Sequence, residues 1–199
     1  MTTFYLVRHG ACDGLGETLW GRTAGICLNK EGQAQAQRLA ERFSKITLDA
    51  VYSSPLERTL ETAEAIARAA HLEVKQSPAF NEIDFGHWSG MSFDALSLDQ
   101  HWRRFNTQRS VTKIPGGESF QAVQARVNAE LERLAEQHTH RRVVIVSHAD
   151  VIKAAVGNVE NTPIDLLQRY EILPGSVSII VAHERNQELL SVNSSQELR

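Results

Sequence analysis

Two stretches decide the fold: Phe4-Tyr5-Leu6-Val7-Arg8-His9-Gly10 near the start, and Arg142-Val143-Val144-Ile145-Val146-Ser147-His148 in the last third. Each opens as a short run of aromatic or β-branched residues, the composition of a buried strand. The first run ends in Arg8-His9 and the second in Ser147-His148. In open α/β sheets, ligands bind beyond the carboxyl ends of the strands. Two strands that each finish on a histidine therefore predict two imidazoles at one sheet edge.

The rest of the chain supplies the layers. Residues 10–30 are rich in Gly and turn residues and read as a long loop, a kind that usually carries function when it is not disordered. From Glu31 the residues are good helix formers, with Ala34, Leu39 and Phe43 at helical spacing. Residues 49–52 read as a second strand. Ser54-Pro55 then reads as an N-cap followed by proline at the first helical position, and Leu56, Leu60, Ala63, Ala67 and Ala70 continue that helix. Residues 72–74 suggest a third strand and 92–105 a short helix. Residues 118–138 form a strong helix with Phe120, Val123, Val127, Leu131 and Leu134 on one face. Residues 142–146 are a buried strand and 151–156 helical. Strands are expected at 170–173, 177–182 and 189–192, with a turn at Pro174-Gly175. Alternating strands and helices predict an α/β sandwich around a largely parallel sheet.

Composition narrows the function classes. The 199 residues suit one domain, read here as 1–199, able to bury a substantial core. A net charge of −3 gives no overall attraction to nucleic acid or to an anionic membrane. No apolar run approaches the ~20 residues of a membrane helix, and the first residues do not read as a secretory signal. Cys12 and Cys27, the two cysteines, form neither a CxxC pair nor a disulfide framework, which points to a reducing, cytoplasmic setting. The histidines lack HExxH-like spacing, and no metal site is expected.

Five blocks occur in order: Leu6-Val7-Arg8-His9-Gly10; Gly21-Arg22-Thr23; Ser54-Pro55-Leu56-Glu57-Arg58-Thr59; Asn81-Glu82-Ile83-Asp84-Phe85-Gly86; and Pro115-Gly116-Gly117-Glu118-Ser119 leading to Val146-Ser147-His148. Together they resemble the signature of the histidine phosphatase superfamily, which includes the cofactor-dependent phosphoglycerate mutases. The resemblance implies a three-layer α/β/α sandwich around a mixed, mostly parallel sheet. It implies a catalytic set of His9, Glu82, His148, Arg8 and Arg58. His9 is the nucleophile, Arg8, Arg58 and His148 bind phosphate, and Glu82 is the proton donor. It implies no cofactor and a small phosphorylated metabolite as partner. Dimers are common among proteins of this kind, so a homodimer is compatible with it.

The residue chemistry suits those roles. Imidazole, with a reference pKa of ~6.5, is a good nucleophile near pH 7 when one nitrogen is bare and the other N–H is fixed by an acceptor. Guanidiniums stay charged and match phosphoryl oxygens with paired donors. Glu82 must be protonated near neutrality, so its pKa must rise above ~4.3 through burial or neighbouring negative charge. Taken singly, each of these residues has an ordinary structural reading; their joint order is what argues for a site.

Two departures stand out. No Asn follows the nucleophile where the family loop often has one, so Thr18, Arg22 or backbone amides are the candidates for a further phosphate contact. The span from Glu82 to Pro115 is short beside the insertion of true mutases, which by analogy favours phosphatase over mutase. The expected activity is metal-independent hydrolysis of a phosphate monoester through phosphohistidine. A phosphoglycerate mutase and a non-catalytic phospho-ligand binder are the alternatives.

Overall fold

The computed structural model describes residues 1–184 and 186–194. Six strands, β1 (Thr2–Arg8), β2 (Ala50–Ser53), β3 (Val74–Gln76), β4 (Arg142–Ser147), β5 (Val177–Ala182) and β6 (Gln187–Ser194), form one sheet in the order β3-β2-β4-β1-β5-β6. β1, β2, β3 and β4 run parallel, while β5 is antiparallel to both its neighbours. The sheet is therefore mixed and mostly parallel, as expected.

Six α-helices flank it: α1 (Lys30–Phe43), α2 (Glu57–Ala69), α3 (Phe93–Leu98), α4 (Gln100–Thr107), α5 (Phe120–Gln137) and α6 (Ala149–Val159). Side chains alternate across a pleated strand, which divides the core in two. Phe4, Leu6, Tyr52, Val143 and Ile145 pack with Val123, Val127 and Leu131 of α5 and Val151, Ile152 and Ala155 of α6. Tyr5, Val7, Val51, Val144 and Val146 pack with Leu39 and Phe43 of α1 and Ala63, Ile66 and Ala67 of α2. A sheet buried on both faces reads as continuous hydrophobic runs, which is what 4–7 and 143–146 are.

Local chemistry moves several boundaries. Asn29 caps α1 by accepting from the Gly32 N–H at 2.9 Å. Ser54-Pro55 does not start α2: the helix begins at Glu57 with Leu56 as its N-cap, and the Ser54 hydroxyl is directed to His148 instead. The third strand lies at Val74–Gln76 rather than 72–74, because the Leu72 N–H closes the end of α2 on the Ala67 carbonyl. The single helix expected at 92–105 is two, divided at Asp99, whose carboxylate accepts from the His101 and Trp102 N–H groups and restarts the chain as α4. Residues 170–173 are not a strand. The Ile172 carbonyl accepts from Arg8 and the Leu173 N–H donates to the Asn193 side chain, so this backbone serves side chains instead of a ladder. Trp88, Trp102 and Phe105 stack edge-on or tilted at 5.2–6.0 Å as packing groups.

Candidate active site

β1 and β4 are neighbours in register, with Arg8 opposite Ser147. The next residue of each strand is a histidine, and the His9 and His148 rings lie 5.3 Å apart between centroids. Both are buried. His9 Nδ1 is 2.7 Å from the Gly10 carbonyl, an acceptor only. Nδ1 therefore carries the proton and Nε2 keeps its lone pair. Burial, reinforced by the Arg58 and Arg8 charges, pushes His9 well below its usual 6.5, with the Gly10 hydrogen bond opposing in part. The ring is neutral at pH 7.

His148 has the opposite tautomer. Its Nδ1 is 3.3 Å from Arg58 Nη2, which can only donate, so Nδ1 accepts. Its Nε2–H donates to Ser54 Oγ at 2.9 Å, and Ser54 donates on to Asn81 Oδ1 at 3.3 Å. Burial first, then Arg58, holds this ring neutral too. The imidazolium expected against a bound dianion requires a second proton on Nδ1, against both influences.

Arg8 ends β1 and Arg58 lies in the first turn of α2. Arg8 Nη1 donates to the Ile172 carbonyl at 2.6 Å, and Arg58 Nη2 to the Gly21 carbonyl at 2.8 Å. Arg8 Nε and Arg58 Nη1 are buried with no acceptor among the described residues. Burial lowers both guanidiniums, and the Glu82 charge works the other way. Unpartnered buried donors are costly and rare in native interiors. Two of them, on guanidiniums whose charges both act on the His9 ring, describe a place for an oxyanion.

Glu82 follows the short 3₁₀ turn at Pro78–Phe80. Its Oε1 accepts from the Ile83 N–H at 2.9 Å, and its Oε2 lies 3.9 Å from His148 Nδ1. Burial, then the negative charge of Asp150, raises its pKa from 4.5 to about 7, although Ile83, Arg58 and Arg8 pull the other way. The carboxyl is thus divided between acid and base at neutrality, the condition for proton transfer in both directions.

Asp150 escaped the sequence reading. It lies in the first turn of α6, where Arg109 Nη1 meets it at 3.0 Å and Lys153 Nζ at 3.8 Å. Burial alone would raise this carboxyl, but Arg109 and Lys153 outweigh it and keep it ionised. Arg109 comes from the irregular stretch after α4, so only the spacing from His148 to an acid two residues on hinted at it.

The structure does not bring Thr18 and Arg22 into this group. Thr18 bridges Ser92 and bonds the Gly14 carbonyl through its backbone. Arg22 lies behind Glu82: its Nε donates to the Glu82 carbonyl at 2.7 Å and its Nη2 to Glu118 Oε1 at 2.8 Å. Among the described residues, no group of three or more His, Cys, Asp or Glu is placed to hold a metal, and no helix is long and apolar enough to cross a membrane.

The chain resembles known proteins in sequence and in fold. The chain is 33% identical to phosphoserine phosphatase 1 of Hydrogenobacter thermophilus, covering 97% of this chain and 92% of that one. It is 32% identical to a probable phosphoglycerate mutase GpmB of Salmonella choleraesuis, covering 90% and 85%. It superposes with a TM-score of 0.89 at 28% identity, over all of both chains, on Entamoeba histolytica phosphoserine phosphatase in complex with 3-phosphoglyceric acid. The family model of the histidine phosphatase superfamily (branch 1) matches residues 4–195. With a match over nearly its whole length and two histidines joined at one sheet edge, the chain belongs to the histidine phosphatase superfamily.

Proposed function

We propose that His9 attacks the phosphorus of a small phosphate monoester and that Glu82 protonates the departing oxygen. As a histidine phosphatase, the protein is a phosphoric monoester hydrolase. The observation that carries the residue assignment is the pair of buried donors without an acceptor among the described residues, Arg8 Nε and Arg58 Nη1, on guanidiniums whose charges both act on a His9 ring that keeps Nε2 proton-free.

In the first step His9 Nε2 forms a bond to phosphorus as the ester P–O bond breaks. The proton on Glu82 passes to the leaving oxygen, and the alcohol departs. Arg8 and Arg58 hold the equatorial oxygens, whose charge they match in the transition state. His148, braced by Ser54, lies on the same oxygens, and the incoming dianion favours its protonation. In the second step the Glu82 carboxylate takes a proton from water, the resulting hydroxide bonds to phosphorus, and the P–N bond breaks. Inorganic phosphate leaves, and both His9 and Glu82 return to their starting protonation. Two displacements of lower barrier replace one difficult one.

The substrate class is a small phosphorylated metabolite, a reading supported by a relative named for phosphoserine and a structural neighbour holding 3-phosphoglyceric acid. The two free thiols favour work in a reducing compartment such as the cytoplasm. The resemblance to a probable phosphoglycerate mutase keeps a second reading open, in which phosphate moves within the substrate.

One experiment addresses both. Wild-type protein in EDTA is given phosphoserine and 3-phosphoglycerate, and free phosphate and isomer are measured together. Phosphate release that is stoichiometric with substrate loss is expected, with an acid-labile phosphoryl group trapped on His9. Isomer formation without phosphate would establish the mutase, and dependence on added metal would remove the mechanism.

A further inference from the structure

Pro115-Gly116-Gly117-Glu118-Ser119 belongs to the family signature, yet none of its residues enters the chemistry above. Ser119 caps α5 by accepting from the Ala122 N–H at 3.2 Å. Glu118, one residue earlier, is turned toward the loop that carries Glu82. Its Oε1 accepts from Arg22 Nη2 at 2.8 Å, Arg126 Nη2 at 2.8 Å and the Asp84 N–H at 3.0 Å. Its Oε2 accepts from Arg126 Nε at 3.3 Å, and its own N–H donates to the Asp84 carbonyl at 3.0 Å.

Both guanidiniums that bind Glu118 also bind the main chain of Glu82. Arg22 Nε reaches the Glu82 carbonyl at 2.7 Å and Arg126 Nη2 reaches it at 3.3 Å, while Arg126 Nη1 holds the Ala79 carbonyl at 2.6 Å. A side chain on Gly117 would collide with the Asp84 carbonyl, so glycine there is what lets the two loops close on each other. The three charged side chains are 18–34% exposed, so these charge-assisted bonds are partly shielded from water. Fixing the backbone on both sides of one residue fixes where its side chain starts.

We propose that Glu118, acting through Arg22 and Arg126, is a positioning residue for Glu82: the clamp on the Glu82 carbonyl sets proton delivery to the leaving oxygen. This rests on Glu82 as proton donor. It gives Arg22 a role different from binding phosphate, and it accounts for a motif otherwise idle in the reaction. Small misplacements of a reacting group are known to cost up to about 10²-fold.

The test compares kcat/KM for 2,4-dinitrophenyl phosphate, whose leaving group departs without a proton, with that for glycerol 1-phosphate, whose alkoxide needs one. The readout is the alkyl-to-aryl ratio, which general unfolding or loss of a phosphate contact lowers on both substrates alike and so leaves in place. Glu82→Gln is expected to lower the ratio most. Glu118→Gln and Arg22→Gln are each expected to lower it about tenfold. If Glu118→Gln does not fold, Arg22→Gln carries the comparison. A wild-type ratio in either folded clamp variant, with Glu82→Gln still selective, overturns the clamp and leaves the donor standing. A wild-type ratio in Glu82→Gln overturns both.

Discussion

At the end of β1, the His9 imidazole presents Nε2 bare; one strand away, at the end of β4, the His148 imidazole gives its Nε2 proton to Ser54 and turns Nδ1 to Arg58. The rings are neighbours in the same buried setting, and burial depresses both pKa values. What separates them is the partner of the other nitrogen, a backbone carbonyl in one case and a serine hydroxyl backed by a guanidinium in the other. The tautomer of each ring is set by the hydrogen bond its other nitrogen makes, not by residue type. The same contrast holds for the carboxylates: burial and the Asp150 charge outweigh Arg58 and Arg8 at Glu82, which sits near 7, whereas Asp150 has Arg109 at 3.0 Å and stays ionised.

The largest effect should come from exchanging the fates of the two imidazoles. His9→Ala is expected to lower kcat by about 10⁴-fold or more and to eliminate the trapped phosphoenzyme. His148→Ala is expected to cost about 10²–10³-fold while the phosphoenzyme still forms. Labelling of the two variants, quenched in alkali where an N–P bond survives, settles which ring is covalent, and label surviving in His9→Ala would erase the distinction.

A smaller effect concerns Arg58, the residue that ties His148 to the proposed phosphate position. Arg58→Lys keeps the charge but loses the planar guanidinium whose Nη2 reaches both the Gly21 carbonyl and His148 while Nη1 has no acceptor among the described residues. A loss of about 10²-fold in kcat/KM is expected, despite the conserved charge. Near-wild-type rates would mean that charge alone suffices.

The smallest effect is on stability, and it separates the two carboxylates. Glu82 is raised in the folded protein, so its contribution is fully present below 4.5 and is lost as the pH climbs through about 7. Glu82→Gln should therefore melt above wild type at pH 8, with the gap closing toward pH 5. A gap independent of pH in thermal melts would show that this carboxyl is not held away from its charge.

The sequence disclosed the parts that rest on strand chemistry. Apolar runs that end in Arg8-His9 and Ser147-His148 place their last side chains by strand alternation alone, and the sheet confirms the shared edge. The helices that were legible were those with a buried stripe, such as α5. What stayed hidden depends on contacts between distant segments. Residues 170–173 look like a strand until Arg8 claims the Ile172 carbonyl. Ser54 looks like a cap until His148 claims its hydroxyl. Arg109 and Asp150, 41 residues apart, meet only in three dimensions.

The turn that follows His9 lies directly on the start of α1. A methyl at Gly10 would come within 2.6 Å of the Gly32 carbonyl, and one at Gly32 would meet the Ala11 carbonyl. Main chain resting on main chain fixes where His9 stands, with no variable side chain between. The long segment from Cys12 to Leu28, closed by its own bridge at those two residues, serves other groups: its Gly21 carbonyl holds Arg58 and its Arg22 holds the Glu82 carbonyl. The orientation of the His9 ring thus hangs on two glycines in contact, so any larger residue at either one should turn that imidazole away however well the remaining side chains are kept.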